Sequence, residues 1–147
     1  MDYKQFDFYQ KLKLQIEDWL KEQKSLEFKW RNYVELLPEC FHFVSELATD
    51  KTLPIKTKEK LAKAIAYVIS PWDFLPEEEF GPAGYLDDVT VCAVILDGVL
   101  DEIDTAIWKK YWKGNQDLIE LKNNILKDSQ EMLGENLLKK ITDKFGG

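Results

Sequence analysis

Histidine occurs once in this chain, as His42, and cysteine twice, as Cys40 and Cys92. With no paired ligand spacing among them, zinc sites of the Cys/His type are excluded. A disulfide framework is equally unsupported, and two lone cysteines read as small buried apolar side chains. His42 sits between Phe41 and Phe43 and reads as a structural residue rather than a ligand. The longest unbroken apolar run is Val91–Leu96, far short of the roughly 20 residues that span a membrane. The opening MDYKQFDFYQ carries charges and no apolar core, so no signal peptide is expected and the setting reads as cytoplasmic. GPAG at 81–84 has glycines but neither the preceding strand nor the lysine of a phosphate loop, and no nucleophile elbow occurs.

Basic residues are missing from one long stretch. Between Lys63 and Lys109 there is no lysine, arginine or histidine, while the same 45 residues hold ten acids. These are Asp73, Glu77, Glu78, Glu79, Asp87, Asp88, Asp97, Asp101, Glu102 and Asp104. Set against a whole-chain net charge of −7, those ten acids leave +3 for the remainder. The chain is therefore electrostatically polarised along its length. Such a balance disfavours nucleic acid, whose phosphates need a basic face, and an anionic membrane surface.

What is present is helical periodicity. The 147 residues fit one domain with a core of ordinary size. Tyr9, Leu12, Ile16, Trp19 and Leu20 recur at helical spacing over about residues 3–25. A second stretch runs to Leu47 with Pro38 inside it, where a break or a new helix is expected. Thr57 reads as the N-cap of a third helix whose inward stripe is Leu61, Ala62, Ile65, Ala66 and Ile69. Pro71 ends it, and prolines and glycines keep residues 70–84 out of regular structure. From about Leu86 to Trp112 the helical signal returns, apolar on all sides at first, as befits a helix with several neighbours. Its later half places Leu96, Leu100, Ile103 and Ile107 inward and Asp97, Asp101 and Asp104 together on a flank. After Lys113–Asn115 the pattern resumes through Leu118, Leu121, Ile125, Met132 and Leu133, and again after Gly134. No strand-like alternation occurs. The expected fold is all-α: an irregular bundle of five or six helices over residues 1–147, with a central hairpin core at about 57–112 and flanking helices at 3–49 and 115–145.

Two spaced blocks carry a resemblance. YVISPWDFLP at 67–76 and GYLDD at 84–88 resemble the YkvA-like family, domain of unknown function 1232. In that family a Tyr…Ser-Pro-x-Asp…Pro block is followed, after a short spacer, by Gly-x-x-Asp-Asp and an apolar helix. The matching positions here are Pro71, Asp73, Pro76, Gly84, Asp87 and Asp88, and the likeness extends over Leu61–Leu96. Trp72 replaces a smaller aliphatic residue, and Glu77–Glu79 makes the spacer more acidic. The resemblance implies a family widespread in bacteria with no established activity.

The motif has a structural reading and a chemical one. Asp73 is placed for an Asx-turn, Asp87 or Asp88 for an N-cap, and Gly84 for a positive φ or a close backbone approach. Alternatively, Asp73, Asp87 and Asp88 converge on Mg²⁺, Mn²⁺ or Ca²⁺, for which carboxylate oxygens are suitable ligands. No histidine or lysine stands near them to act as acid, base or anion clamp, which weighs against an enzyme. The leading expectation is a non-enzymatic interaction or regulatory module. It presents Glu77, Glu78, Glu79, Asp97, Asp101 and Asp104 to a basic protein surface.

Overall fold

The computed structural model describes residues 2–22, 28–69, 82–114 and 116–146. Seven α-helices lie within them: α1 (Tyr3–Glu22), α2 (Phe28–Leu47), α3 (Ile55–Ile69), α4 (Pro82–Val99), α5 (Thr105–Tyr111), α6 (Leu118–Leu133) and α7 (Glu135–Phe145). A 3₁₀ turn, Leu100–Glu102, follows α4. No strand occurs among the described residues, so the all-α expectation holds.

α4 is the hub. Every residue from Tyr85 to Leu96 is buried, and the helix packs against α2, α3, α6 and α7. Its sequence shows why: an apolar surface on all sides needs partners on all sides. α1 packs on α2 through Tyr9, Leu12, Ile16 and Leu20, all buried. An Asp2–Gln5 capping box opens α1, with Gln5 N–H donating to Asp2 Oδ1 at 2.8 Å. The void lined by Cys40, Val89, Ala93, Leu96 and Ile125 has a volume of about 10 Å³, room for one water at most.

Several boundaries differ from the sequence expectation. α2 runs through Pro38 without ending. The ring removes one i→i−4 hydrogen bond, but Leu37 and Phe41 beside it are fully buried, and that packing holds the helix together. α3 starts at Ile55, with Lys58 N–H bonded to the Pro54 carbonyl at 3.1 Å. Thr57 is therefore not its N-cap. The inward stripe of α3 is Thr57, Leu61, Ala64, Ile65, Tyr67 and Val68, whereas Ala62, Ala66 and Ile69 are exposed. Small alanines do not fix which side faces in; Tyr67 and Val68 do. The bundle has seven helices rather than five or six because the chain breaks twice more. Ile103 is extended and Asp104 caps α5, while Gly134, at φ +85°, separates α6 from α7. That φ favours glycine over any residue with a Cβ.

A buried carboxylate ties α5 to the α2–α3 connection. Asp50 accepts from the Thr52 hydroxyl, from Thr52 N–H at 2.8 Å and from the Tyr111 hydroxyl at 2.7 Å. Those bonds, the Thr52 hydroxyl foremost and the Tyr111 hydroxyl next, lower the Asp50 pKa from 3.8 to about 2. A carboxylate whose folded pKa is depressed adds stability above its unfolded pKa and loses it as pH falls through the folded one. The stability gap between the wild type and Asp50→Asn is therefore expected to be full at pH 5 and to close between about pH 4 and pH 2, read by urea denaturation at each pH.

Candidate functional site

α3 and α4 form an antiparallel hairpin fastened at both ends. At the far end, Glu102 accepts from the Thr57 hydroxyl at 3.0 Å and from Lys60 Nζ at 2.8 Å. The Lys60 bond first, and the Thr57 bond next, hold the Glu102 carboxyl below the usual glutamate range. At the near end, where the chain between 69 and 82 joins the two helices, the Tyr67 hydroxyl donates to Asp87 Oδ2. The Tyr67 ring meets Phe145 of α7 edge-on, centroids 5.2 Å apart, and Lys144 Nζ stands 5.6 Å from its centroid.

Asp87 and Asp88 are fully buried, 0% and 1% exposed. They are the sixth and seventh residues of α4, one to two turns inside it. That corrects the capping expectation, because the helix begins at Pro82, whose fixed φ and missing N–H suit the first turn. Gly84 likewise lies in that helical turn, and among the described residues the positive-φ glycine is Gly134. Thr90, the next polar residue inward, is also buried and satisfies its hydroxyl on the Leu86 carbonyl at 2.8 Å. Desolvating a carboxylate costs several kcal/mol even after relaxation. Two adjacent buried aspartates here therefore need partners inside the protein, and the Tyr67 hydroxyl is one for Asp87. Pro71, Asp73, Pro76 and Glu77–Glu79 lie outside the described residues, so the proposed convergence of Asp73 with Asp87 and Asp88 does too. Among the described residues, no group of three or more His, Cys, Asp or Glu side chains gathers at metal-holding distance.

The other three acids lie towards the opposite end of α4: Asp97 is about 15 Å from Asp87 along the axis at 1.5 Å per residue, and Asp101 and Asp104 follow the helix end at Val99. They do not share one flank. Asp97 pairs with Lys122 of α6 at 3.0 Å. Asp101 lies exposed in the 3₁₀ turn. Asp104 is the N-cap of α5 and accepts from Ala106 N–H at 2.9 Å. The helical continuation that would align them is interrupted at Ile103.

Lys122 was not singled out by the sequence reading. It falls on the inward face of α6 with Leu118, Leu121 and Ile125, so a lysine on an apolar stripe is the signal that marks it. Its side chain is 8% exposed, while that of Asp97 is 58% exposed. The two ends of this pair therefore respond differently to substitution. Asp97→Asn leaves a desolvated ammonium without its countercharge and is expected to cost about 1–2 kcal/mol, given the exposure of the carboxylate. Lys122→Met replaces the stem with an apolar one of similar volume and is expected to be neutral or stabilising. Thermal melts of both variants check this asymmetry.

The remaining sequence candidates have ordinary duties. Cys40 and Cys92 are buried free thiols; burial first, then the nearby Glu39 charge, pushes the Cys40 pKa up to about 12. His42 packs on the Tyr9 ring with centroids 4.9 Å apart. Trp112 meets Phe43 edge-on at 5.6 Å and bonds the Gln116 carbonyl through Nε1 at 2.8 Å. That turn needs Gly114, since a Cβ there would come within 2.2 Å of the Trp112 ring. No described helix is long and apolar enough to cross a membrane.

Comparison with known proteins picks out part of the same stretch of sequence. The chain is 32% identical over 93 residues to "Uncharacterized protein ORF9" of Methanothermobacter thermautotrophicus, a match covering 63% of this chain and 64% of that protein. The chain thus spans just under two thirds of that relative's length. No solved structure matches it. Residues 60–94, the stretch holding Tyr67, Asp87 and Asp88, match the family described as "Protein of unknown function (DUF1232)", the family the two sequence blocks resemble.

Proposed function

We propose that this protein is a helical interaction module of the cytoplasm that offers an acidic surface to a basic protein partner. The observation that carries the reading is the state of the acids past the end of α4. Asp101 and Asp104 are exposed, and no ammonium group stands within 4 Å of either among the described residues. The negative end of the α4 dipole adds to their field, and a field of one sign steers an oppositely charged partner. Glu77–Glu79 add three more acids in the sequence before Pro82. Lysines elsewhere in the chain answer Asp97 and Glu102, so of the described acids at this end Asp101 and Asp104 are the ones left to a partner. The test is capture from cell extract with Asp101→Lys/Asp104→Lys and Glu77→Lys/Glu78→Lys/Glu79→Lys variants beside the wild type. The proteins enriched by the wild type should be lost in at least one variant. An identical set from all three would refute the reading.

The burial of Asp87 and Asp88 favours a second reading. Aspartates that do not cap a helix, yet stay buried beside the motif, suit a divalent cation completed by Asp73. Calorimetric titration with Mg²⁺, Mn²⁺ and Ca²⁺ distinguishes it: heat saturating with one site in the wild type and absent in Asp87→Asn is expected, and a flat trace at millimolar metal removes it.

A further inference from the structure

α7 is held differently from its neighbours. α1 is bonded to α2 through Tyr9 and Glu39 at 3.0 Å, and through Arg31 and the Leu20 carbonyl at 3.1 Å. α6 is bonded to α2 through Tyr33 and Asp128 at 2.6 Å, and to α4 through Lys122 and Asp97 at 3.0 Å. α7 rests on apolar contact with α3, α4 and α6. Ile141 and Phe145 are its buried side chains, 0% and 6% exposed, and Leu137 and Leu138 are half-buried. Glu135, Lys139, Lys140 and Asp143 form no ion pair among the described residues. A long bond of 3.5 Å, from Lys63 Nζ to the Lys144 carbonyl, reaches it from α3. At 11 residues the helix is too short to persist unpacked. When its two anchors let go, it leaves as a unit.

The other end of α7 turns on one residue. Gly134 closes α6 and opens α7, at φ +85°. A Cβ there would meet nothing within 4 Å, so the backbone turn requires the glycine and packing does not. No side chain caps α7 at this end. A lone glycine in open space absorbs a change of backbone angle without driving a side chain into its neighbours.

α7 lies over the motif. Phe145 meets the Tyr67 ring edge-on at 5.2 Å, and Lys144 Nζ stands 5.6 Å from the centroid of each ring. The Tyr67 hydroxyl continues inward to Asp87 of α4. Phe145, Tyr67 and Asp87 thus form one file from α7 to the hub. With α7 seated, Tyr67 is 6% exposed and Asp87 0%.

We infer that α7 is a lid, which swings about Gly134 while the rest of the fold stays closed, uncovers Tyr67 and lets water and small cations reach Asp87. A divalent cation held by Asp87 needs such an entry. As a cation gate the lid rests on the cation reading; the motion itself does not.

Native-state hydrogen exchange on the unaltered protein tests the motion. Amides of residues 138–145 should exchange at least about a hundredfold faster than those of residues 89–96 in α4. Their rates should change little at low urea, because releasing one short helix exposes little surface. Equal exchange free energies and equal urea slopes for the two helices would overturn the inference. Carboxyl labelling with a carbodiimide and an amine, read residue by residue by mass spectrometry, tests what the lid covers. No metal is added, so the outcome is separate from that of a cation titration. Asp50, also buried but held by Thr52 and Tyr111, is the internal control. Phe145→Ala should raise the labelling of Asp87 at least about tenfold and leave Asp50 unchanged, as expected of a local opening. Asp87 labelling that stays at the wild-type level while α7 exchange accelerates overturns the inference. So does an equal rise at Asp50, because α7 then moves only with the whole fold.

Discussion

Tyr67→Phe is expected to cost about 2 kcal/mol, and Tyr67→Ala about twice that. The phenylalanine variant keeps the ring against Phe145 and removes the hydroxyl that donates to Asp87. Because Asp87 is fully buried, water cannot replace the donor. Losing a buried hydrogen bond costs roughly 1–3 kcal/mol. The alanine variant also empties the space under Phe145 and Lys144, adding the transfer and cavity terms of a lost aromatic ring. Urea denaturation separates the two variants. If Tyr67→Phe proves as stable as the wild type, the near end of the hairpin is not fastened by that bond. Loss of fluorescence or chemical-shift markers at Phe145 in Tyr67→Ala would further show that α7 is seated through the same ring.

Phe41→Ala is expected to cost about 3–5 kcal/mol, a large part of the whole stability of a domain this size. Phe41 is 1% exposed, sits edge-on to Phe8 of α1 with centroids 5.0 Å apart, and lies one turn past Pro38. Its packing is what carries α2 through the missing proline bond. The expectation is therefore double: a large fall in denaturation midpoint, and faster amide exchange in α2 around Pro38 than elsewhere in the helix. A loss below about 1 kcal/mol, within the range of a surface substitution, would mean that α2 is held by something other than this contact.

Much of the architecture was readable before any coordinates. The α1 stripe, the punctuation at Lys113–Gly114 and Gly134, and the all-round apolar run that makes α4 central are period and breaker signals, and those survive into the fold. Among the expectations the fold corrects, three have clear physical reasons. Pro38 is a local breaker overridden by tertiary packing on both sides. Thr57 looks like a cap because local sequence does not show that Pro54 already opens the helix. Thr57 instead turns inward and bonds Glu102 across the hairpin. Asp87 and Asp88 look like caps because polar residues near a helix start usually are. Their burial depends on Tyr67 and on a helix that begins at Pro82, and no hydropathy pattern encodes that.

Folding sorts the acidic stretch by role. As a string it is one charge gap; folded, its described members serve four ends. Asp87 and Asp88 are core residues. Asp97 and Glu102 are answered by Lys122 and Lys60. Asp104 closes a helix end, and Asp101 stands exposed with it. Part of the charge bias is thus structural, and the acids that remain for a partner are fewer than the sequence count implies. The interaction reading rests on Asp101 and Asp104, with Glu77–Glu79 as the sequence's further acids.

The salt dependence of binding to the captured partner tests that reading most directly. Affinity of the purified pair, measured by calorimetry from about 50 to 300 mM salt, should fall at least tenfold for the wild type as ions screen the exposed carboxylates. Asp101→Lys/Asp104→Lys should bind more weakly and with a flatter slope. A wild-type affinity that does not change with salt, or a reversal variant that binds as tightly and as steeply as the wild type, would contradict it.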